Sequence, residues 1–284
     1  MTVDTSQFRF AAGGALQQYP TSVRNLKGAQ AQVAKSVARL SDLQELLWAD
    51  NRQSVLLIFQ GMDTAGKDGT IKRVTSGVDP AGFQVFSFRQ PTHEELDHNY
   101  LWRYWRAMPE RGRIGIFNRS YYEEVLVVRV HPEMIEQRPL PHERLDEDIW
   151  QQRLEDIASM ERHLWRDGTL ILKFYLHLSK DEQKSRLLAR LTNRDKLWKF
   201  DPRDLQERQL WDAYQQAYQH AIEATHDDHA PWFVIPADDK WTMRAIVAQI
   251  LTEEIARLQL RYPVPATGDG WVEDAIAHLE GEDG

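Results

Sequence analysis

The residues that speak most directly to chemistry are Gly61-Met62-Asp63-Thr64-Ala65-Gly66-Lys67-Asp68-Gly69-Thr70. Gly61, Gly66 and Lys67 satisfy G-x-x-x-x-G-K, the pattern of a phosphate-binding loop. Glycines let the backbone curl so that successive N–H groups and a helix N-terminus face phosphate oxygens. Lys67 adds a mobile cation for the transferring phosphates. Thr64, Ala65, Gly66, Lys67, Asp68, Gly69 and Thr70 are therefore the expected phosphate-binding stretch. A plain tight turn between strand and helix is the bland alternative. One departure stands out: Asp68 replaces the Ser/Thr that usually follows the lysine and binds magnesium. Asp63 and Asp68 would repel phosphate unless a divalent cation lay between them. Asp63 is the expected ligand of Mg2+, and Asp68 is read as a cap for the following helix.

A second constellation lies at Asn118-Arg119-Ser120, where an apolar run ends. A Walker B acid would stand there, at the carboxyl ends of the strands beside the loop. Asn118 brings a carbonyl and no charge. Behind it come Tyr121, Tyr122, Glu123 and Glu124, acids that would complete a metal site or contact an acceptor; Arg119 is placed to reach phosphate. A solvated turn is the alternative for each. A third constellation is basic. Eight Lys and Arg fall between Lys184 and Arg208, with Arg186, Arg190 and Arg194 on one helical face. The stretch from Asn193 to Pro202 interrupts the helical pattern, so residues of about 184–208 read as a helical lid closing over phosphates. A solvated charged helix face is the competing reading.

These groups need elements to hold them. Val55-Leu56-Leu57-Ile58-Phe59 is a continuous apolar run of the buried parallel type, directly before the loop. Four more short runs follow, at 85–88, 114–117, 170–176 and 232–235. Helical stretches are expected at 22–48, 66–74, 93–108, 142–166, 179–192, 203–226 and 239–260. Alternating strands and helices imply an α/β fold with a five-stranded parallel sheet flanked by helices, in one domain spanning residues 1–284. Residues 1–20 and 264–284 are expected to be peripheral or poorly ordered.

Composition sets the outer bounds. Cysteine is absent, which excludes a disulfide framework, thiolate metal sites and a cysteine nucleophile. No apolar run approaches a membrane span, and the N-terminus has no basic stretch followed by an apolar core, so a cytoplasmic protein with no secretory signal is expected. The net charge of -8 argues against nucleic acid and requires a local basic patch for any polyanion. Tyr100-Leu101-Trp102-Arg103-Tyr104-Trp105 mixes aromatics with arginines, but Leu101, Trp105 and Met108 share a helical face and read as core. His93 and His98 lack the spacing of HExxH, and His226 with His229 is a weak zinc candidate.

Taken together, the sequence resembles the polyphosphate kinase 2 family over roughly residues 40–262. The pieces that carry the likeness are the loop, Tyr100-Leu101-Trp102-Arg103, Phe117-Asn118-Arg119-Ser120-Tyr121-Tyr122-Glu123-Glu124-Val125-Leu126-Val127, Asp181-Glu182-Gln183-Lys184, Trp198-Lys199-Phe200 and Ala230-Pro231-Trp232-Phe233-Val234-Ile235-Pro236-Ala237. The resemblance implies a P-loop kinase fold like thymidylate kinase and reversible, Mg2+-dependent phosphoryl transfer from inorganic polyphosphate to nucleotides. It implies Asp63 as metal ligand, Lys67 and the loop on phosphates, Arg119 near the transferred phosphoryl, and Arg186, Arg190, Lys196 and Lys199 among the lid contacts. Asn118 followed by Glu123 resembles the class III branch, which accepts AMP and ADP; other branches carry Asp and Asn at these places, so their second metal ligand is not transferred to Asn118. The resemblance also implies a homo-oligomer, dimer or tetramer, with the helix at 22–48 as a contact surface. An ATP-dependent nucleoside monophosphate kinase of thymidylate-kinase type shares fold and loop and remains the alternative; a non-enzymatic nucleotide-binding module is a third reading.

Overall fold

The apolar runs become β1 (Ser54–Gln60), β2 (Phe83–Ser87), β3 (Ile114–Asn118), β4 (Thr169–His177) and β5 (Trp232–Pro236). They form one sheet of order β2-β3-β1-β4-β5, parallel throughout. The computed structural model describes residues 3–23, 26–136, 138, 140–141, 148–264 and 270–281. β1 is central and buried along its whole length, which is why its sequence does not alternate. The helices are α1 (Ala29–Asp50), α2 (Lys67–Val74), α3 (His93–Leu96), α4 (Trp102–Trp105), α5 (Val127–Val130), α6 (Glu133–Glu136), α7 (Ile149–Arg166), α8 (Lys180–Leu191), α9 (Arg203–Gln209), α10 (Trp211–Thr225), α11 (Lys240–Ala256) and α12 (Trp271–Gly281).

Two hydrophobic cores sandwich the sheet. On one face Val33, Val37, Leu40, Leu43 and Leu47 of α1 pack with Ile246, Ile250 and Ile255 of α11. The apolar stripe expected at 22–48 is therefore spent inside the molecule, which leaves the opposite face of α1 exposed. On the other face α7 and α10 cover Tyr121, Tyr122, Tyr175 and Trp232. Among the described residues, no helix is long and apolar enough to cross a membrane.

Several boundaries moved. The stretch 93–108 forms two short helices, because Asn99 Oδ1 accepts the Leu101 N–H at 3.1 Å and closes a local turn. The first six residues of the stretch 142–166 lie outside the described residues, and α7 begins at Ile149. The stretch 203–226 divides at Leu210 into α9 and α10. α5, α6 and α12 were not legible from periodicity; α12 falls in the tail expected to be irregular, of which 265–269 and 282–284 are outside the described residues. The first twenty residues are not simply peripheral. Phe8, Phe10 and Leu16 are buried, and the Phe10 N–H donates to the Trp232 carbonyl at 2.9 Å, docking the segment beside β5.

Candidate active site

The loop joins β1 to α2. Gly61 has φ +153°, and a Cβ there would lie 2.9 Å from the Leu176 carbonyl oxygen of β4, so only glycine fits. Gly66 enters α2 at φ +106° in the left-handed region. Thr64 at φ +66° and Arg119 at φ +65° occupy the same region without being glycine, so two strained residues flank one site. Thr64 Oγ1 is buried with no partner. Lys67 Nζ donates to the Gly61 carbonyl at 2.6 Å and the Met62 carbonyl at 3.4 Å, which holds the ammonium at the loop mouth.

Parallel pairing of Phe59 with Asn118 places the end of β3 beside the loop, as the topology required. Asn118 Nδ2 donates to Asp68 Oδ1 at 2.5 Å. α2 has no side-chain cap, so Asp68 does not cap it as expected; it lies in the first turn, where the helix dipole favours an acid, and Asn118 fixes it. Arg119 Nη2 is 3.7 Å from Asp63 Oδ1. Glu123 faces Arg119, Lys67 and Gln60; burial pushes its carboxyl upward, and those three partners pull it back. Burial lowers Lys67, and the Arg119 charge lowers it further. The Glu123 carboxylate is the largest influence holding Arg119 above its ordinary value. The structure brings Asp63, Lys67, Arg119 and Glu123 together. Two cations and two acids meet beside a phosphate cradle, a charge arrangement suited to phosphoryl transfer.

The turn at 119–124 is anchored from below. The Tyr121 and Tyr122 hydroxyls each donate to Glu161 Oε1 at 2.8 Å. Lys173, in the middle of buried β4, donates to Glu161 Oε2 at 2.5 Å and to the Thr225 carbonyl at 2.7 Å. Burial drives Lys173 below its ordinary value and both tyrosines well above theirs.

The basic stretch divides in two. Arg186 was expected to contact phosphate, and the structure gives it another task. Nε donates to Glu182 at 2.8 Å, Nη1 to the Thr64 and Ala65 carbonyls at 3.0 and 3.1 Å, and Nη2 to the Ala237 and Asp238 carbonyls at 2.7 and 3.0 Å. All five guanidinium N–H groups are used, and none is left for a ligand. Arg190 pairs with Asp204 at 3.2 Å and the Lys199 carbonyl at 3.3 Å. Lys199 lies over the Trp198 ring at 5.0 Å, while Lys196 is exposed.

Some partners were not legible. Asp204 faces the loop from α9, where burial and then the Asp63 charge hold its carboxyl above the usual range; in the sequence it is one acid within a charge run. Gln183 donates to the Asp63 carbonyl at 3.2 Å. Gln60 could have been found, since it is the polar residue that follows the apolar run at 55–59 directly before the loop.

The donor set suits a hard cation. Among the described residues no group of three or more His, Asp or Glu could hold a metal by itself. Magnesium typically takes one or two carboxylates together with substrate phosphates and water. Asp63, half-exposed beside a cradle with an orphaned Thr64 hydroxyl, fits that mode.

With this geometry in place, comparison with known proteins is decisive. The family profile described as polyphosphate kinase 2 matches residues 24–262. The chain belongs to the polyphosphate kinase 2 family. It is 48% identical over 270 residues to the ADP-polyphosphate phosphotransferase of Rhodopseudomonas palustris, covering 93% of each chain. It is 48% identical over 229 residues to the AMP/ADP-polyphosphate phosphotransferase of Meiothermus ruber, covering 81% of this chain and 82% of that one. The crystal structure of polyphosphate kinase 2 from Arthrobacter aurescens TC1 superposes with a TM-score of 0.87 at 37% identity, over 95% of each chain. Phosphoryl transfer in this family uses a divalent metal.

Proposed function

We propose that this member of the family is a polyphosphate-dependent nucleotide phosphotransferase that moves the terminal phosphoryl of inorganic polyphosphate to ADP, giving ATP, and to AMP, giving ADP. The observation that carries the reading is the meeting of Lys67, Arg119, Asp63 and Glu123 at the mouth of the phosphate loop. An oxygen of the acceptor's terminal phosphate attacks the terminal phosphorus of the chain; the P–O bond to the next phosphate breaks, and the shortened chain leaves as an anion. Lys67 and the loop N–H groups from Thr64 to Thr70 hold the transferring phosphates. Arg119 neutralises charge developing on the equatorial oxygens. Glu123 is half-buried between Arg119 and Lys67, where it orients both and faces the acceptor. Asp63 would hold Mg2+, which when bound neutralises phosphate oxygens and aligns the reacting groups. No covalent enzyme intermediate is needed. Lys196 and Lys199 contact phosphate when the lid of residues 184–208 closes; Arg190, tied to Asp204, joins them only if that pair opens.

The expected setting is cytoplasmic, as a homo-oligomer, with polyphosphate, AMP, ADP and ATP as ligands and neither nucleic acid nor membrane. The ATP-dependent monophosphate kinase reading is less favoured, because the whole-length relatives carry polyphosphate in their names. Purified protein mixed with Mg2+, ADP and polyphosphate should form ATP; inertness with both ADP and AMP would refute the proposal.

A further inference from the structure

Four of the eight lid cations are engaged within the fold. Arg186 is spent on carbonyls and Glu182, Arg190 on Asp204, and Arg203 on Asp201, while Arg208 Nη1 donates to the Lys180 carbonyl at 2.7 Å and to Gln183 at 2.8 Å. A different basic group is not neutralised. The Arg73 and Arg244 guanidinium carbons lie 5.2 and 5.0 Å from the centroid of the Trp241 ring. Lys240 is the first residue of α11, beside them. Among the described residues, Arg73, Lys240 and Arg244 form no ion pair. The acids that face them are already engaged: Asp239 accepts the Thr242 N–H at 2.7 Å as the α11 cap, and Glu182 pairs with Arg186 at 2.8 Å. Arg244 Nε is buried without a partner.

This cluster works against the fold's own electrostatics. Lys240 and Arg244 occupy the first turns of α11, which has no acid in its first turn and whose dipole disfavours cations there. Burial and the charges of Arg73 and Arg186 push Arg244 below its ordinary value, and burial and the charges of Arg186, Lys196 and Arg244 do the same to Lys240. In a chain of net charge -8, such crowding calls for an anion. The cluster also adjoins the phosphate loop. Arg244 Nη2 is 3.0 Å from the point a Cβ would take on Gly69, so its guanidinium presses on the first turn of α2.

We infer that Arg73, Lys240 and Arg244 form a subsite for the polyphosphate tail, which leaves the phosphate loop along α2 and the start of α11. The inference rests on the polyphosphate reading above. Arg73 is six residues past Lys67, about 9 Å along the helix axis, so a chain longer than the phosphates held at the loop is needed to reach it. Guanidinium forks suit successive phosphates. Single-stranded nucleic acid fits less well, because stacking wants a free aromatic face, and the Trp241 ring already carries two guanidinium groups.

Lys240→Glu is the sharpest probe. An acid at this position favours the helix dipole, so the variant should keep or raise the melting temperature. Combined with Arg73→Ala on the exposed face of α2, it should raise KM for long-chain polyphosphate about tenfold and flatten the dependence of log KM on log salt. KM for ADP, and kcat at saturating polyphosphate, should match the wild type. Arg73→Lys, which keeps the charge without the fork, should raise the polyphosphate KM less than Arg73→Ala does. A polyphosphate KM within twofold of wild type, or an equal rise in the ADP KM, would overturn the subsite. A wild-type chain that does not use polyphosphate would remove the function itself, and the subsite with it; a normal wild type beside an unaffected variant removes the subsite alone.

Discussion

Arg186 spends its five N–H groups on Glu182 and on carbonyls of the phosphate loop and of residues 237–238, which fixes what its replacement should do. Lysine keeps the charge but has no planar fork, so Arg186→Lys leaves carbonyls unpaired. We expect a loss of about 2–3 kcal/mol in chemical denaturation. A loop displaced by about 1 Å should cost about 10²-fold in kcat. A direct phosphate ligand would instead show a raised donor KM with unchanged stability. The sequence showed a basic residue on a helical face, but its carbonyl acceptors come from two distant segments, and no local pattern reports them. Glu123 was more legible, because it follows a strand end that must lie beside the loop. Replacing it with Asn removes the charge that Arg119 and Lys67 face. Glu123→Asn should reduce kcat/KM for AMP more than for ADP; equal losses would count against an acceptor role.

The turn carrying Arg119 and Glu123 depends on two elements that no motif search would select. α7 supplies Glu161 and β4 supplies Lys173, a fully buried pair under Tyr121 and Tyr122. Removing one partner leaves an uncompensated buried charge, so Lys173→Met alone should destabilise by about 3–5 kcal/mol. The double change Lys173→Met with Glu161→Gln should recover much of that stability in thermal melts. If the pair also sets the turn, kcat stays low in the double variant although its fold is restored; full recovery of kcat would limit the pair to stability. Lys173 interrupts an apolar run that the sequence already marked as a strand, so the strand was legible and the network was not. β1, β3, β4 and β5 were easier to read than the helices, because their burial leaves apolar runs, whereas the edge strand β2 is mostly exposed. The break between α3 and α4 turned on one local hydrogen bond at Asn99, which periodicity does not register.

In the molecule as a whole, sheet order places the carboxyl ends of β1, β3 and β4 around one loop; the parallel sheet and the β3 end beside the loop followed from alternating strands and a glycine-rich turn, and the place of β4 did not. The partition of basic charge did not follow. Counting Lys and Arg favoured the lid, whereas in three dimensions half of the lid cations meet acids or carbonyls, and Arg73, Lys240 and Arg244 gather without an ion pair among the described residues where α2 meets α11. An acidic protein that holds such a strip beside its phosphate loop is built for a polyanionic donor more than for a nucleotide one. The most direct test is a comparison of donors. With AMP as acceptor and Mg2+ present, initial rates of ADP formation should be measured with polyphosphate alone and with ATP alone. We predict turnover with polyphosphate and, at equal subsaturating donor concentration, a rate with ATP lower by about tenfold or more, since the binding energy of the strip is unavailable to the short donor. Faster transfer from ATP, with polyphosphate inert, would contradict the account.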